Sequence, residues 1–337
     1  MIFFTACKKC PLIDPSPTPT PDPVEPSSNP VESSSTIDTW ALRITSLSGN
    51  LLATDFADAN TGYVCGIGGI SYKTTDGGTT WTPMTSGTSE DLYLMKFINS
   101  QKGFMAGNNN TLVKTTDGGA TWTPVSLTPT GYYRSLMFTD DNTGYLGGVG
   151  CIFKTTDGGA TWTQYSTAAN VNSYCVTFLT PNVGYFGGYN ISTNVAILMK
   201  TTDGGATWTN INNVSTIVGN AIINKFFATD ANTFYLFSNT VNINASKVYK
   251  STDGGANWSI IKSDANNYNT NAIFTDTTHA YIVGGNATTN TGVIYKTADA
   301  GATWISVPIT SPLLYGLDIV NNVAYSCGRN GAFVVGK

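Results

Sequence analysis

The chain has 337 residues, of which only 11% are charged, and 17 Lys and Arg residues against 21 Asp and Glu residues give a net charge of −4. This balance provides no basic surface for nucleic acid, and no run of about 18 apolar residues is present that could cross a membrane as a helix. Aromatic residues make up 12% of the chain, and 35 glycines accompany abundant asparagine and threonine, a composition typical of short strands and tight turns.

Residues 1–10 look like the last part of a lipoprotein signal peptide. The small residues Thr5 and Ala6 precede Cys7, a cysteine that could accept lipid and become the mature N-terminus. The charged and most of the apolar region of such a signal are missing, which suggests that the start codon is assigned too late. We therefore expect lipidation at Cys7 and export to the bacterial cell envelope, facing the periplasm or the outside. The alternative is an accidental cysteine in a disordered leader.

Residues 11–36 are predicted to form a Pro/Ser-rich, disordered stalk. Eight of the fourteen prolines lie between residues 11 and 30. Proline fixes φ and removes a backbone donor, so this segment favours extended polyproline-II chain, with a reach of about 60 Å at roughly 3.1 Å per residue. A stalk after a lipidated cysteine would hold a domain away from a membrane surface.

Residues 37–337 consist of repeats. The pattern Lys-Ser/Thr-x-Asp-x-Gly-x-Thr/Asn-Trp occurs six times, and all seven tryptophans, Trp40 included, are 40 to 50 residues apart. A second element, an aromatic residue after a turn, occurs seven times. A period near 40–50 residues with short strands predicts an all-β, seven-bladed β-propeller of four-stranded blades. The repeated acids and indoles are Asp76, Asp117, Asp157, Asp203, Asp253 and Asp299, and Trp81, Trp122, Trp162, Trp208, Trp258 and Trp304.

The unequal numbers of the two elements predict how the ring closes. The last unit ends after three strands, whereas an isolated outer strand, about residues 39–44, precedes the first unit. We therefore expect the N-terminal strand to complete the last blade, because closure removes free sheet edges. The four cysteines of the repeats, Cys65, Cys151, Cys175 and Cys327, lie in apolar strands and are expected to be buried free thiols.

The six repeated aspartates are interpreted as structural. A carboxylate in such a turn can accept hydrogen bonds from turn amides and a hydroxyl, while the tryptophan starts the outer strand. A metal-binding or acid–base role is the alternative, but a catalytic pair has no reason to recur six times around a ring. The fifth and sixth copies differ at Asn257, Ala298 and Ala300, and we expect those turns to form but to be slightly weaker.

These motifs resemble Asp-box (BNR) repeats over the whole of residues 39–337. Asp-boxes occur in sialidases, some xyloglucanases, sortilin-type receptors and photosystem II stability/assembly factor-like proteins. The blade pattern Phe-x-Asp-x-x-x-Gly-Tyr followed by Lys-Thr-Thr-Asp-Gly-Gly-x-Thr-Trp looks most like the last group. The motif is specific for the fold and indicates function only weakly.

Few residues suit catalysis. Sialidases would require an arginine triad and a Tyr–Glu pair, but the only arginines, Arg43, Arg134 and Arg329, occupy unrelated repeat positions, and Glu90 is the only glutamate after Trp40. Glu90 and Asp91 are the best acid candidates for a glycosidase, which needs two carboxylates about 5–10 Å apart. The single histidine, His279, is expected in a turn, and we expect no cofactor and no metal site.

The irregular face of the propeller is the predicted binding surface. Its loops lengthen in the fourth to sixth blades and are rich in Asn, Thr and Ser, and tyrosines stand at the start of several first strands. Such side chains suit a protein or peptide partner in assembly or adhesion, with a glycan ligand or a polysaccharide-active glycosidase as the alternative. Equally, the tyrosines could simply cap the core. We expect a monomer. The candidate residues are Tyr93, Tyr132, Tyr133, Arg134, Tyr174, Asn190, Asn194, Asn239, Asn242, Tyr268, Asn286 and Tyr315.

Overall fold

A computed structural model describes residues 37–128, 131–166, 171–211, 213–240 and 245–337. The expected lipidation site Cys7, the stalk at 11–36 and the candidate residue Asn242 lie outside these ranges. Within the described ranges the only α-helix is α1 (Val214–Val218), and two short 3₁₀ turns cover Ile67–Gly69 and Arg329–Gly331. No described helix has the length and hydropathy needed to span a membrane.

The strands make seven four-stranded antiparallel sheets. Blades 1 to 6 take β2–β5, β6–β9, β10–β13, β14–β17, β18–β21 and β22–β25 in sequence order, and blade 7 takes β26, β27, β28 and β1. In chain order the strands are β1 Trp40–Arg43, β2 Leu51–Phe56, β3 Gly62–Gly66, β4 Ser71–Thr74, β5 Thr82–Pro83, β6 Leu92–Phe97, β7 Gly103–Gly107, β8 Leu112–Thr115, β9 Thr123–Pro124, β10 Tyr133–Phe138, β11 Gly144–Gly148, β12 Cys151–Thr155, β13 Thr163–Ser166, β14 Val171–Phe178, β15 Gly184–Asn190, β16 Ala196–Thr201, β17 Thr209–Asn210, β18 Ala221–Ala228, β19 Phe234–Thr240, β20 Ser246–Ser251, β21 Ser259–Asp264, β22 Tyr268–Phe274, β23 Ala280–Asn286, β24 Thr291–Thr297, β25 Ile305–Val307, β26 Leu314–Val320, β27 Val323–Gly328 and β28 Phe333–Gly336.

The seven first strands form the inner wall of a closed ring. Each of β2, β6, β10, β14, β18, β22 and β26 contacts the first strand of both neighbouring blades, and β26 contacts β2. The outer strands lie at the far edge of each sheet. The prediction of a seven-bladed propeller is therefore confirmed.

The ring has two ends. The loops that join successive blades lie at the same end as the loops between the second and third strands of each blade. We call this end the loop face and the opposite end the Asp-box face.

The N-terminal strand closes the ring as predicted. β1 pairs antiparallel with β28 over Trp40–Arg43, two residues fewer than the predicted 39–44, with Trp40 opposite Gly336 and Arg43 opposite Phe333. Next to this strand pair, the backbones of Thr39 and Lys337 exchange two hydrogen bonds, of 2.9 and 2.8 Å.

Neighbouring blades are joined by a repeated set of contacts that we call the inter-blade clamp. The ring of Tyr63, on the second strand of blade 1, stacks on Phe97 of blade 2 at 3.7 Å between centroids. Its hydroxyl and the Lys73 ammonium both donate to the Gly118 carbonyl of the next Asp-box turn, at 3.2 and 2.8 Å. The equivalent residues Tyr145 and Lys154 both donate to the Gly204 carbonyl of the next box. Tyr235 and Lys250 likewise both donate to the Ala300 carbonyl.

The last blade has no Asp-box, and the N-terminal segment replaces it in the clamp. The backbone N–H of Ile37 donates to the Tyr281 hydroxyl at 2.8 Å, and Lys296 forms an ion pair with Asp38. Ile37 itself is only 2% exposed. Two residues before β1 therefore join blade 7 to blade 6 at the position that an Asp-box turn occupies between other blades.

Each Asp-box turn is closed by its aspartate. The Asp76 carboxylate accepts from the Thr74 hydroxyl at 2.8 Å and from the hydroxyl and amide of Thr80 at 2.6 and 2.8 Å, while the Gly78 amide donates to the Thr74 hydroxyl at 3.0 Å. These bonds, the one from the Thr80 hydroxyl above all, lower the pKa of Asp76 to about 2. The variant fifth and sixth turns also form, with Asn257 donating to Asp253 at 2.7 Å and Thr303 to Asp299 at 2.6 Å.

The tryptophans that follow the boxes pack against the phenylalanines of the first strands. Trp81 meets Phe56 edge-on at 6.3 Å and Trp122 meets Phe97 at 5.9 Å. Trp81 and Trp122 are buried, and the other four box tryptophans are half-buried. A glycine before the second-strand aromatic leaves room for this phenylalanine, because a Cβ on Gly62 would lie 2.3 Å from the Phe56 ring.

One local feature was not predicted from the sequence, and one prediction about the core is confirmed. The helix α1 lengthens the connection from blade 4 to blade 5, buries Val214 in the core and is followed by Gly219 at φ +69°. The four described cysteines are buried free thiols, as predicted. Burial raises the pKa of Cys175 and of Cys327 to about 12, so neither forms a reactive thiolate near neutral pH.

Deleting residues 37–46 should abolish cooperative folding. The deletion removes β1 and the contacts of Ile37 and Asp38, and exposes the edge of β28. Deleting 11–34 should leave the melting temperature within a few degrees of the intact chain. Thermal melts by circular dichroism compare the two variants, and a cooperative melt near that of the intact protein after the 37–46 deletion would show that closure does not depend on β1.

Replacing Ala300 by glycine should stabilise the protein by about 0.5–1 kcal/mol. Ala300 has φ +56°, at the position where the other five boxes carry glycine at +66° to +72°. A left-handed backbone conformation costs an L-residue roughly 1–2 kcal/mol, and glycine avoids this cost. Glycine is also freer in the unfolded chain, and this offsets about 0.4–1 kcal/mol of the gain in folding stability. The reverse change, Gly254→Ala, should cost about 1 kcal/mol by the same reasoning, since its Cβ would meet nothing closer than 3.6 Å. Urea denaturation measures both, and changes of the opposite sign would contradict the strain at this position.

Candidate functional site

A β-bulge occurs at the same place in all seven first strands. The pairing between first and second strands skips one residue in every blade, near the loop-face end. Each skipped residue is half-buried, whereas the residue before it is buried in every blade. A bulge re-aims a side chain and interrupts the alternation of the strand. We call these residues the bulge ring: Leu52, Tyr93, Arg134, Tyr174, Asn224, Thr270 and Tyr315.

Arg134 is the centre of an aromatic stack in the bulge ring. Its guanidinium carbon lies 3.4 Å from the centroid of the Tyr93 ring. Burial raises the pKa of the Tyr174 hydroxyl, and the charge of Arg134 lowers it in part, so the two side chains are within electrostatic range of each other. Tyr174 in turn lies 5.9 Å from the Tyr189 ring. We call these four side chains, which come from blades 2, 3 and 4, the Arg134 stack.

The Arg134 charge is not neutralised within the described residues. Arg134 has no ion pair there, and its buried Nε has no hydrogen-bond partner. Stacking on an aromatic face holds a guanidinium in place while its N–H edge stays able to bind an acceptor. The sequence identified Tyr93, Arg134 and Tyr174 as candidates, and the structure brings these three together.

Tyr132 and Tyr133 separate, although both were predicted to belong to the binding surface. Tyr132, two residues before Arg134 in sequence, is 46% exposed. Tyr133 is fully buried between blades 2 and 3, where its hydroxyl donates to Asn110 and its ring meets Phe153 edge-on at 6.0 Å. Tyr133 immediately precedes the bulge, so it points into the interface between blades and cannot contact a partner without unfolding.

The remaining predicted tyrosines lie on other blades. Tyr315 belongs to the bulge ring of blade 7, and its hydroxyl accepts from the Arg329 Nε at 2.9 Å. Arg329 also donates to the Ala287 carbonyl at 3.0 Å and so joins the loops of blades 6 and 7. Tyr268 is half-buried on blade 6 opposite Gly285. Neither residue joins the Arg134 stack.

The predicted asparagines mostly shape their own loops. The Asn190 carboxamide oxygen accepts from the Ser192 and Thr193 amides at 2.9 and 3.1 Å, and Asn286 does the same for the Thr288 and Thr289 amides. Asn239 exchanges two hydrogen bonds with the Asn269 backbone across blades 5 and 6, at 2.9 and 3.0 Å. Among the predicted asparagines that the structure describes, Asn194 alone is exposed, at φ +56°.

Glu90 and Asp91 are engaged in the loops of blades 1 and 2. The Asp91 carboxylate accepts from the Gly68 amide at 2.9 Å and from the Asn108 carboxamide at 3.2 Å, and Glu90 accepts from Asn109 at 2.7 Å. No cluster of three or more His, Cys, Asp or Glu side chains suited to a metal occurs in the described part of the chain. His279 lies in a turn on the Asp-box face, as expected, 2.7 Å from Asp276.

A charged cluster on the inner wall was not recognised as such from the sequence. The Asp55 carboxylate binds the Lys96 ammonium at 2.6 Å and accepts the Phe97 amide at 2.6 Å. Asp318 accepts the Phe56 amide at 2.7 Å, and burial and the charge of Asp55 raise the pKa of Asp318. Both carboxylates are over 90% buried and fix the first strand of the following blade, so their contacts explain them as structural residues.

Comparison with known proteins gives one family and many structures of the same fold. The model of the photosynthesis system II assembly factor YCF48 family matches residues 31–132 and 130–286. No curated protein matches the sequence. A structure of YCF48 bound to a D1 peptide is similar with a TM-score of 0.67 at 18% identity, covering 88% of this chain and 96% of the other.

Two further structures show how widely the fold is shared. YCF48 from Cyanidioschyzon merolae has a TM-score of 0.66 at 17% identity, covering 88% of this chain and 98% of the other. An ancestral GH74 enzyme has the same TM-score at 16% identity, covering 86% of this chain but only 45% of its own. These identities establish the fold alone, whereas the family match extends over most of the repeats. The chain is therefore a member of the photosynthesis system II assembly factor YCF48 family.

Proposed function

We propose that the protein is a non-catalytic, envelope-tethered propeller that binds a protein or peptide partner at its loop face, in assembly or adhesion. The observation that carries the proposal is the Arg134 stack, in which a guanidinium without a counterion among the described residues lies on the Tyr93 ring and within electrostatic range of Tyr174. Arginine and tyrosine are the residue types that most often dominate protein interfaces, because they combine a large rigid contact area with directional polar groups.

The position of the stack suits a peptide. Three successive blades each place one residue at the equivalent bulge: Tyr93, Arg134 and Tyr174. A peptide segment that crosses the mouth of the ring could therefore contact all three. Tyr132 extends this surface with an exposed ring. A related propeller, YCF48, has been solved with a D1 peptide bound, which supports a peptide-binding role for this family member too.

Several contacts argue against hydrolysis. Asp91 and Glu90 are hydrogen-bonded by neighbouring loop groups, and the inner carboxylates Asp55 and Asp318 are buried and hold backbone amides. A glycosidase needs two accessible carboxylates facing one substrate. Similarity to an ancestral GH74 enzyme is at the level of the fold, and we infer that this chain uses the propeller for binding.

Arg134→Ala should weaken binding of a cognate peptide roughly 10- to 100-fold, since truncating an interface arginine typically costs 2 kcal/mol or more. Peptides selected on the wild-type protein by phage display serve as ligands, with affinities measured by calorimetry. Arg43→Ala is the matched control, because Arg43 is exposed on the outer strand β1. The melting temperature should stay within a few degrees for both variants. Equal affinity of wild type and Arg134→Ala would place the site elsewhere.

The carbohydrate alternative has its own outcome in the same study. A glycan array and a panel of polysaccharides are tested with the wild-type protein and with Glu90→Gln and Asp91→Asn. Turnover of any glycan that is abolished by these substitutions would contradict the non-catalytic proposal.

Tethering is tested at Cys7. In the native host we expect the mature protein in the membrane fraction, with lipid on Cys7 detected by mass spectrometry, and Cys7→Ala in the soluble fraction. A lipidated cysteine followed by a Pro-rich stalk would present the propeller away from the membrane surface. An unmodified Cys7 in the mature protein would contradict the tether and leave the loop-face proposal intact.

A further inference from the structure

Asp318 is a buried carboxylate without a counterion, on the first strand of blade 7. It is 7% exposed, and it forms no ion pair with any residue that the structure describes. Its Oδ2 accepts the Phe56 amide of blade 1 at 2.7 Å, so the carboxylate lies in the seam between the last blade and the first. Burial of an unpaired charge is unfavourable, and a carboxylate in such a place tends to take up a proton.

A second carboxylate acts on Asp318 from the next blade and already uses the available cation. Asp55 and Lys96 occupy, on blades 1 and 2, the position that Asp318 occupies on blade 7, opposite an aromatic residue of the second strand. Lys96 binds Asp55 at 2.6 Å, so two carboxylates share one ammonium. Burial, and then the charge of Asp55, raise the pKa of Asp318 to about 6, whereas the charge of Lys96 opposes the shift.

The surrounding strands supply no further cation to Asp318. The strands that chiefly contact β26 are β2, β22, β23 and β27, and of these β22 and β23 of blade 6 contain tyrosines but no charged residue. The other charged residues of the seven first strands are Arg134 and Lys225, which lie on blades 3 and 5. Neither of them forms an ion pair with a described residue. The excess negative charge therefore remains at the seam between blades 7 and 1.

The same seam lacks the lysine of the inter-blade clamp. The residue opposite Asp318 on β27 is Tyr325, whose pKa is raised by burial and by the charges of Asp318 and Asp58 and lowered in part by the charge of Arg43. Opposite Tyr325 on the third strand lies Val335, at a position that is lysine in each of the other six blades. The seam therefore has one hydrogen bond fewer than the seams with a complete clamp, and it holds a buried like-charge pair in addition.

We propose that Asp318 is a pH-sensitive latch in this seam: its protonated, neutral form holds blades 7 and 1 together more firmly than its carboxylate does. Protonation removes the repulsion by Asp55, which keeps its ion pair with Lys96. Because the pKa of Asp318 in the folded chain lies above the ordinary value of about 4, the stabilisation is complete below pH 4 and is lost as the pH rises through about 6. The propeller should therefore be more stable in mildly acidic than in neutral solution. The latch is independent of the proposed loop-face function.

The experiment compares melting temperatures at about pH 5 and about pH 7.5, at constant ionic strength, for wild type, Asp318→Asn and two controls. Asp230→Asn is the matched control, because Asp230 is an exposed turn residue of blade 5 whose pKa is lowered, by the Asn232 amide first of all. His279→Gln removes the single histidine, the other side-chain type that titrates in this range. Wild type should melt about 3–5 °C higher at pH 5, since most of a tenfold change in the folding equilibrium is then realised. Both controls should keep most of this difference.

Asp318→Asn should show a difference below about 1 °C and should melt above wild type at pH 7.5, because the buried charge is gone. Carboxyl ¹³C NMR of the aspartate-labelled wild-type protein gives a second measurement that does not require the variant to fold. One carboxyl, assigned to Asp318 through its backbone resonances, should titrate with a midpoint near pH 6.

Three results would overturn the proposal: an Asp318 carboxyl that stays ionised down to pH 5, a wild-type protein that melts no higher at pH 5 than at pH 7.5, or a full pH difference retained in Asp318→Asn. Sodium chloride and potassium chloride are also titrated at pH 7.5. If either salt raised the melting temperature of wild type as much as acid does, and left Asp318→Asn unchanged, Asp318 would bind a metal cation and the proton latch would be wrong.

Discussion

The inter-blade clamp is the contact on which the rest of the molecule depends. A tyrosine and a lysine of one blade donate to the same carbonyl of the next Asp-box, while the tyrosine ring stacks on the phenylalanine of the next first strand. A single four-stranded blade buries little on its own, so stability comes from contacts of this kind between neighbours. The aspartate of the box does not meet the next blade itself, and it acts by holding the turn whose carbonyl receives the clamp.

The clamp also determines which parts of the protein can act on a ligand. The clamp uses the carbonyl groups of the Asp-box turns and the lysines that donate to them. In a similar way, the inner carboxylates Asp55 and Asp318 accept hydrogen bonds from backbone amides of the following blade. Most charged groups of the propeller are therefore already paired inside it. Arg134 and Lys225 are exceptions on the inner wall, and both sit at or beside a bulge. An unpaired charge in such a place lowers stability, and for Arg134 this supports the proposed binding role.

The clamp explains the closure of the ring as well. Blade 7 lacks an Asp-box, and the ring would end with an unsatisfied tyrosine and lysine on blade 6. The Ile37 N–H donates to that tyrosine, Asp38 supplies an anion to the lysine, and β1 then pairs with β28. The N-terminal segment therefore contributes a strand and a substitute for a turn, whereas the sequence pattern indicated the strand alone.

The amino-acid sequence by itself determined the number of blades, the Asp-box turns, the burial of the four cysteines and the closing strand, because each is written in a short local pattern repeated at a fixed period. It also placed Tyr93, Arg134 and Tyr174 near one face. What it could not determine is which of several adjacent side chains reaches the mouth of the ring. Tyr132, Tyr133 and Arg134 are consecutive, yet one is exposed, one is buried between blades and one stacks on a neighbour's ring. A bulge breaks the two-residue alternation of the strand, and only the pairing with the second strand shows where it falls. The partners of Lys73, Lys96 and Asp38, and the lack of one for Lys225, are likewise decided by contacts between blades about 40 or more residues apart in sequence, which no local pattern encodes.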